Sequence, residues 1–467
     1  MTRRVSSLSA LGLAAALAGC ALTPAYERPA APVAAAFPAP AADAGVPAAQ
    51  LSWADFIADA RSQALVRAAL ANNRDLRIAV LNVEQARAAL GVQQADRLPT
   101  LNAGAAANRS SASSSYSVGL QVTSFELDLF GRVKSLSEAA AARLLASDEA
   151  RRAVQLSLVT AVADADLVLR ADDALIALTQ QVLASREASL KLVKLKFDAG
   201  AAGEPELRAS ESLVAAARAS AAALERQRQQ HLNALVLLLG GPLPADLPAA
   251  APLQAVAYAD LPAGLPSEVL LQRPDVRQAE QLLVAANANI GVARAAFFPR
   301  IALTGSLGFA STDLQSLFDQ SAWSFAPQLL MPLFDAGRNE ANLAAAKVAR
   351  ELAVAQYEKS IQTAFREVAD ALAARATLGD QLAAQRAQAE AEQRRLALAE
   401  RLLAAGAASL LDRLDAERSA LAARQAVIQL ELAQRQNALL LYRVLAGGTA
   451  LADSAPAAMP ARAATAS

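Results

Sequence analysis

The chain has 467 residues, of which 54% are hydrophobic and only 4% aromatic. Its 44 Lys and Arg residues balance 44 Asp and Glu residues. The chain therefore has no excess of positive charge that would indicate nucleic acid binding. With one His and one Cys, the sequence excludes a disulfide framework and the usual metal clusters, and any catalysis would rest on carboxylates alone. The composition therefore predicts closely packed helices with small side chains, and neither an enzyme nor a cofactor.

Residues 1–19 have the pattern of a secretory signal peptide. Arg3 and Arg4 precede an apolar run that is too short to span a bilayer and ends in Leu-Ala-Gly directly before Cys20. Small residues at this place predict lipoprotein processing, with a diacylglycerol on the sulfur of Cys20 and a further acyl chain on its amino group. Ala21 in the next position favours the outer membrane. The alternative is an ordinary signal peptide followed by an incidental Cys.

Residues 20–50 are rich in Ala and Pro and lack periodicity, which predicts an extended, lipidated tether. Beyond them the sequence is duplicated. The stretch from Asn72 matches the stretch from Gln272 without a gap, and the likeness continues with small offsets. A period near 200 residues is too long for a solenoid, so one large module is used twice.

Each module predicts a helix, a hairpin, a very long helix, a turn and a second helix. The first repeat spans 51–239 and the second 275–446. A Pro- and Gly-rich connector lies between them at 240–274, and a disordered tail is predicted for 447–467.

The predicted hairpins cover 100–130 and 300–334, where apolar side chains alternate with small or polar ones. The alternation slips at Ser124, which indicates a bulge or an exit from the sheet. Such strands suit a membrane β-barrel, although a soluble antiparallel sheet over a helical core is an equal alternative. Four strands cannot close a barrel, and open edges are forbidden in lipid, so the barrel interpretation requires an oligomer.

The long helices are predicted at 134–199 and 339–405, each about 100 Å long at 1.5 Å per residue. Within the first, apolar residues recur every seven positions from Val162 to Phe197, and a parallel series lies one position earlier. Two adjacent heptad stripes indicate a helix with neighbours on two sides, as in a ring of helices. Gly200 and Gly406 mark the turns that follow.

Four strings together resemble the outer-membrane efflux lipoproteins of resistance–nodulation–division pumps, the NodT-like branch of the TolC superfamily. They are LAGCALTPAYERP, GLPSEVLLQRPDVRQAE, ANANIGVARAAFFPRIALTGSLG and LMPLFDAGR. The resemblance implies a mainly α fold with a membrane β-barrel: a homotrimer, with four strands per subunit in one twelve-stranded barrel above a long α-helical periplasmic barrel. The connector would then be the equatorial region, and Gly200 and Gly406 would lie at the periplasmic tip.

The resemblance also implies a function. Family members are passive ducts for drugs or small toxic compounds, and they work with an inner-membrane resistance–nodulation–division transporter and a periplasmic adaptor protein. The alternative that we consider is a periplasmic adaptor lipoprotein with one helical hairpin. Such a protein would need lipoyl-like and small barrel domains, which the duplicated helices and paired hairpins disfavour. The sequence does not identify the exported compound.

By resemblance, Asp412 and Asp415 take the positions of the periplasmic gate. Threefold symmetry would gather these carboxylates around one axis, and such crowding raises carboxyl pKa values. The alternative is that Ser409 caps a helix with Asp412 completing a capping box. Leu403 and Ala408 stand where some relatives carry Tyr and Arg, so the latch formed by those two residues is not expected here.

Overall fold

The computed structural model describes residues 22–37, 46–261 and 267–449. The predicted signal peptide, Cys20 and residues 450–467 lie outside the described residues. Within the described ranges the chain forms eight α-helices and four β-strands. In order these are α1 (Trp53–Phe56), α2 (Ala60–Asn72), α3 (Arg74–Ala95), β1 (Leu101–Arg109), β2 (Ser114–Leu127), α4 (Arg132–Asp198), α5 (Glu204–Leu239), α6 (Pro274–Ala295), β3 (Arg300–Ser311), β4 (Ser321–Leu330), α7 (Arg338–Ala404) and α8 (Leu410–Val444).

The two halves have matching elements. Helices α3 and α6 have 22 residues each, α4 and α7 have 67 each, and α5 and α8 have 36 and 35. The predicted duplicated, mainly helical module with four strands per chain is therefore confirmed. No helix among the described residues combines the length and the apolar character needed to cross a membrane.

Both long helices begin slightly before the predicted residues, because an aspartate caps each of them. The carboxylate of Asp128 accepts hydrogen bonds from the backbone N–H groups of Val133 and Lys134, at 3.1 and 2.7 Å. In the second copy, Asp335 accepts one from the N–H of Asn339 at 2.9 Å. A carboxylate at this place satisfies free N–H groups and interacts favourably with the helix dipole.

The four strands form one antiparallel sheet in the order β1-β2-β3-β4. The register of β2 against β3 shifts between Val122 and Phe125, and Ser124 has a φ of 54°. This bulge confirms the slip that the alternation predicts. Among the described residues, β1 and β4 are each paired along one side only. Pro327 lies in β4 opposite Leu303, and as a proline it removes one backbone N–H from this strand.

The chain divides into two compact units. The first comprises the described parts of 1–32, 79–151 and 275–362, and it contains the sheet. The second comprises those of 33–78, 152–274 and 363–467. In the second unit, the ring of Phe56 stacks on the rings of Tyr442 and Tyr258, with centroids 4.2 and 5.1 Å apart.

A buried ion network fixes the connector within the second unit. The side chain of Arg170 is 2% exposed and binds Asp59 and Asp166 at 2.6 and 2.7 Å. Its Nη1 also donates to the backbone oxygen of Ala251, at 3.0 Å, and Arg61 donates to the oxygen of Pro248 at 2.9 Å. Because both carboxylates and both guanidiniums are satisfied, these charges can stay buried and hold the irregular chain in place.

The stretch at 22–32, which we call the strap, is not a free tether. Within the first unit it lies against α6. Arg294 donates to the backbone oxygen of Leu22 at 2.9 Å, and Asn287 donates to that of Pro24 at 2.8 Å. The side chain of Thr23 contacts the hydroxyl of Ser135 at 2.9 Å.

The predicted disordered tail is wrong for its first three residues. Residues 447–449 form an ordered turn, in which the N–H of Gly448 donates to the backbone oxygen of Ala48 at 2.9 Å. A Cβ on Gly447 would overlap the ring of Tyr442, so only glycine allows the chain to pass this ring so closely.

Candidate functional site

The candidate site begins at two glycine turns that end the long helices. Gly200 and Gly406 have φ values of 72° and 73°. After Gly406, the N–H of Ala407 donates to the oxygen of Leu402 at 2.8 Å, and the first turn repeats this arrangement. These bonds form Schellman motifs, in which a left-handed glycine lets the last carbonyls of the helix find donors.

Asp412 completes a capping box at the start of α8. The N–H of Asp412 donates to Oγ of Ser409 at 3.2 Å, and the carboxylate of Asp412 accepts from the N–H of Ser409 at 3.0 Å. The hydroxyl of Ser409 also donates to this carboxylate, at 2.6 Å. The hydrogen bonds from the side chain and backbone of Ser409 lower the pKa of Asp412. The predicted cap is therefore confirmed.

Asp415 links α8 to α7. Nη2 of Arg395, on α7, donates to one carboxylate oxygen at 2.6 Å, and Arg418 donates to the other at 2.8 Å. The hydrogen bond from Arg395 is the main cause that lowers the pKa of Asp415. In the single chain both predicted gate carboxylates are thus stabilised in their charged form, which differs from the raised pKa values expected for a crowded ring.

Sequence reasoning missed Arg395, although a signal for it existed. In an antiparallel helix pair, residues equally distant from the turn face each other. Arg395 lies ten positions before Ala405 and Asp415 lies ten positions after it. Because the chain turns at Ala405 and Gly406, this spacing places the two side chains at the same height.

The two copies differ at the start of their second helices. In the first copy, α5 begins after Gly203, which provides no side-chain cap, and Glu206 stands opposite Asp412 by an offset of 206 residues. Leu403 and Ala408 carry no polar side-chain group, so they cannot form the hydrogen-bonded latch of some relatives. Arg395 on α7 is instead linked to Asp415 on α8.

The remaining predicted site residue, Cys20, lies outside the described residues. The structure begins two positions later, where the strap is bound to α6. Among the described residues, no group of three or more His, Cys, Asp or Glu side chains is placed to hold a metal ion.

The duplicated helix–hairpin–helix modules and the four-stranded sheet match the fold of outer-membrane channels with a long helical part. The family model described as "Outer membrane efflux protein" matches residues 65–241 and 265–447, and these segments start 200 residues apart, as the duplication does. The chain belongs to this family. It is the outer-membrane channel component of a tripartite efflux system, and the adaptor alternative receives no support.

Individual proteins match along nearly the whole chain. "Solvent efflux pump outer membrane protein SrpC" of Pseudomonas putida is 44% identical, over 94% of this chain and 97% of its own length. "Outer membrane protein OprJ" of Pseudomonas aeruginosa is 46% identical, over 96% and 97%. The crystal structure of the open state of the MtrE outer membrane channel of Neisseria gonorrhoeae is similar with a TM-score of 0.84 and 41% identity, over 92% and 99%.

Proposed function

We propose that three copies of this chain form one passive export duct through the outer membrane and across the periplasm. The observation that carries this proposal is the sheet with two open edges, β1 and β4. Unpaired backbone groups cannot stay exposed to lipid, so the edges of one copy must pair with those of other copies. Three copies supply twelve strands, a number that closes a membrane barrel.

The duct is proposed to work without catalysis and without a bound cofactor. An inner-membrane resistance–nodulation–division transporter supplies the energy, and a periplasmic adaptor protein seals the junction. The name of SrpC refers to solvents, and we propose that this duct also carries small apolar toxic compounds of that kind. The matches over nearly the full length of relatives named as efflux pump components support this assignment.

We further propose that Cys20 carries a diacylglycerol and an N-acyl chain. Cys20 precedes Leu22, the first residue of the strap, by two positions in the sequence. The strap is bound along α6, which leads directly into β3. This connection supports an anchor at the membrane surface from which the strands of the sheet depart.

Asp412 and Asp415 are proposed as the periplasmic gate, and the turns at Gly200 and Gly406 as the periplasmic tip. The support is the exposure of Asp412 and the link from Asp415 to Arg395, which restrains α8 against α7 close to the turn. If the gate opens by movement of α8, either the ion pair between Asp415 and Arg395 breaks or α7 moves together with α8.

The proposed function is tested by purifying the full chain in detergent, measuring the mass of the complex and recording its conductance in planar bilayers. We expect a complex of three copies that conducts ions. A monomer that inserts and conducts would contradict the shared barrel, and a trimer without conductance would contradict the duct. Metabolic labelling with a fatty acid tests the anchor separately, because Cys20→Ser should abolish labelling and leave the pore intact.

A further inference from the structure

A cavity of about 580 Å³ lies between the two helix pairs of the second unit, close to the glycine turns. We call it the tip cavity. It is bounded by residues 185–196 of α4, 206–213 of α5, 400–404 of α7 and 410–417 of α8. Small-molecule sites in proteins have volumes of roughly 300–1,000 Å³, so this cavity has the size of a ligand site.

A buried cluster of charges stands in the wall of the tip cavity. The carboxylate of Glu417 is 8% exposed and lies between two guanidiniums. Arg186 donates to it from α4 at 2.9 Å, and Arg413 donates from one turn earlier in α8 at 3.0 Å. One carboxylate shared by two guanidiniums leaves this cluster with a net charge of +1 in a place where water screens little.

The cluster also has an unused donor. The other hydrogen bonds of Arg413 and Arg186 go to Oγ of Ser189 at 3.1 Å and to the backbone oxygen of Leu213 at 3.2 Å. Nε of Arg413 is buried and has no acceptor among the described residues. A buried guanidinium N–H without an acceptor is costly, and an anion in the cavity would supply that acceptor if the side chain of Arg413 turned toward it.

Part of the wall is apolar, with Leu192, Val193, Leu403 and Leu414 among its residues. Three further charged residues, Lys196, Glu206 and Glu400, also line the cavity. Lys196 and Glu400 are exposed and Glu206 is half-buried, so water screens them more than the cluster. The tip cavity thus combines a partly apolar wall with one positive buried site.

We propose that the tip cavity binds a small amphipathic organic anion, separate from any compound that passes through the duct. Its apolar body packs against the leucines of the four helices, and its anionic group accepts hydrogen bonds from Arg413 and Arg186. The positive charge of the cluster selects anions over neutral molecules of the same shape.

The test uses cysteine protection in the full chain. Leu192 lines the tip cavity and is 55% exposed, whereas Leu195 lies on the same helix, is 61% exposed and does not line it. The rate of modification by a water-soluble maleimide is measured for Leu192→Cys and Leu195→Cys, with the parent chain giving the contribution of Cys20. The probes are 2-naphthoate and its neutral isostere 2-naphthamide.

We expect 2-naphthoate at four times its Kd to slow modification of Leu192→Cys about fivefold, since protection equals 1 + [L]/Kd. Modification of Leu195→Cys should not change, and 2-naphthamide should protect far less. Adding Arg413→Gln to Leu192→Cys should remove the protection, while an unchanged helical circular dichroism spectrum shows that the fold persists. Equal protection by 2-naphthamide, equal protection at Leu195→Cys or no protection at all would overturn the proposal.

Discussion

Arg28 donates two hydrogen bonds to the carboxylate of Glu280, from Nε at 2.7 Å and from Nη2 at 3.1 Å. The hydroxyl of Tyr26 donates a third to the same carboxylate, at 3.0 Å. The side chain of Glu280 is only 9% exposed, so this carboxylate depends on the strap for its partners. Arg28, eight positions after the proposed lipid anchor Cys20, is thereby bound to Glu280 of α6.

We predict that Arg28→Gln destabilises the first unit, because it leaves the carboxylate of Glu280 buried with one donor fewer. A charge-assisted hydrogen bond contributes about 1.5–3 kcal/mol, and because Arg28 is exposed on one side, the loss of stability should be about 1–2 kcal/mol. Thermal unfolding followed by helical circular dichroism measures the effect. Glu27→Gln, an exposed neighbour, is the matched control and should unfold like the parent chain.

A second prediction uses the duplication itself. Gly91 and Gly291 occupy the same place in the two repeats, but their surroundings differ. A Cβ on Gly291 would overlap Oγ1 of Thr23 and lie 2.7 Å from Oγ of Ser135, whereas a Cβ on Gly91 would meet nothing within 4 Å. Gly291→Ala should therefore displace the strap and destabilise the protein, while Gly91→Ala should stabilise α3 by up to about 1 kcal/mol through helix propensity.

The strap can be followed directly by the rate at which a protease cleaves near Arg28. We expect faster cleavage in Gly291→Ala, and partial recovery when Thr23→Ala is added, because the overlap with Oγ1 is then removed. Equal stability and equal cleavage of the two alanine variants would show that the strap does not need Gly291.

The duplication, the module order and the bulge at Ser124 were predictable because they follow from local periodicity. The strap was not, since residues 20–50 have no periodicity and the partners of Arg28 lie about 250 positions away in the chain. The different roles of Gly91 and Gly291 were hidden for the same reason. The alignment gives both the same place in a helix, and only the packed structure shows that Thr23 covers one of them.

The proposed gate residues likewise combine a predictable local pattern with a tertiary contact that was missed. The capping box of Ser409 and Asp412 is a local pattern and was predictable, as was the left-handed turn at Gly406. The partner of Asp415 was missed, because Arg395 belongs to a different helix and contacts Asp415 only once the turn has formed. A tertiary contact across the turn therefore lowers the pKa of Asp415, which the local sequence does not specify.

A third prediction concerns the link across this turn. Arg395→Gln removes the link and leaves both gate carboxylates in place, so it should raise single-channel conductance in planar bilayers if the link restrains the helices. Asp415→Asn should have a similar effect, and Asp412→Ala with Asp415→Ala a larger one. Ser409→Ala, which removes only the cap, controls for fraying of α8. If Arg395→Gln conducts like the parent channel, the link does not restrain the helices. The conductance would then depend on the charges of the ring of Asp412 and Asp415 carboxylates rather than on the link.

A fourth prediction follows from the lowered pKa values of Asp412 and Asp415. A carboxyl group with a depressed pKa in the folded state stabilises that state above the pKa of an unfolded aspartate, and the contribution is lost as pH falls through the folded pKa. Conductance should therefore stay constant down to the ordinary pKa of aspartate and rise only on further acidification. Asp412→Asn should remove part of this rise. A transition above the ordinary pKa would show that crowding in the assembled ring prevails over the contacts within each chain.

In the proposed trimer, β1 of one copy pairs with β4 of the next. Disulfide cross-linking of the purified channel tests it, with Ala105→Cys in β1 combined in turn with Ser324→Cys, Phe325→Cys or Ala326→Cys in β4. Within one chain these strands are about 14 Å apart, at about 4.8 Å per strand, which is too far for a disulfide.

On a denaturing gel under oxidising conditions, at least one double variant should give covalent dimers and trimers that disappear on reduction. The four single variants should remain monomers, because they bring no two new cysteines together. Trimers that form through the double variants, in channels that still conduct, are the result that we expect. Monomers alone for all three double variants, in a channel with normal conductance, would contradict the pairing of β1 with β4 between copies.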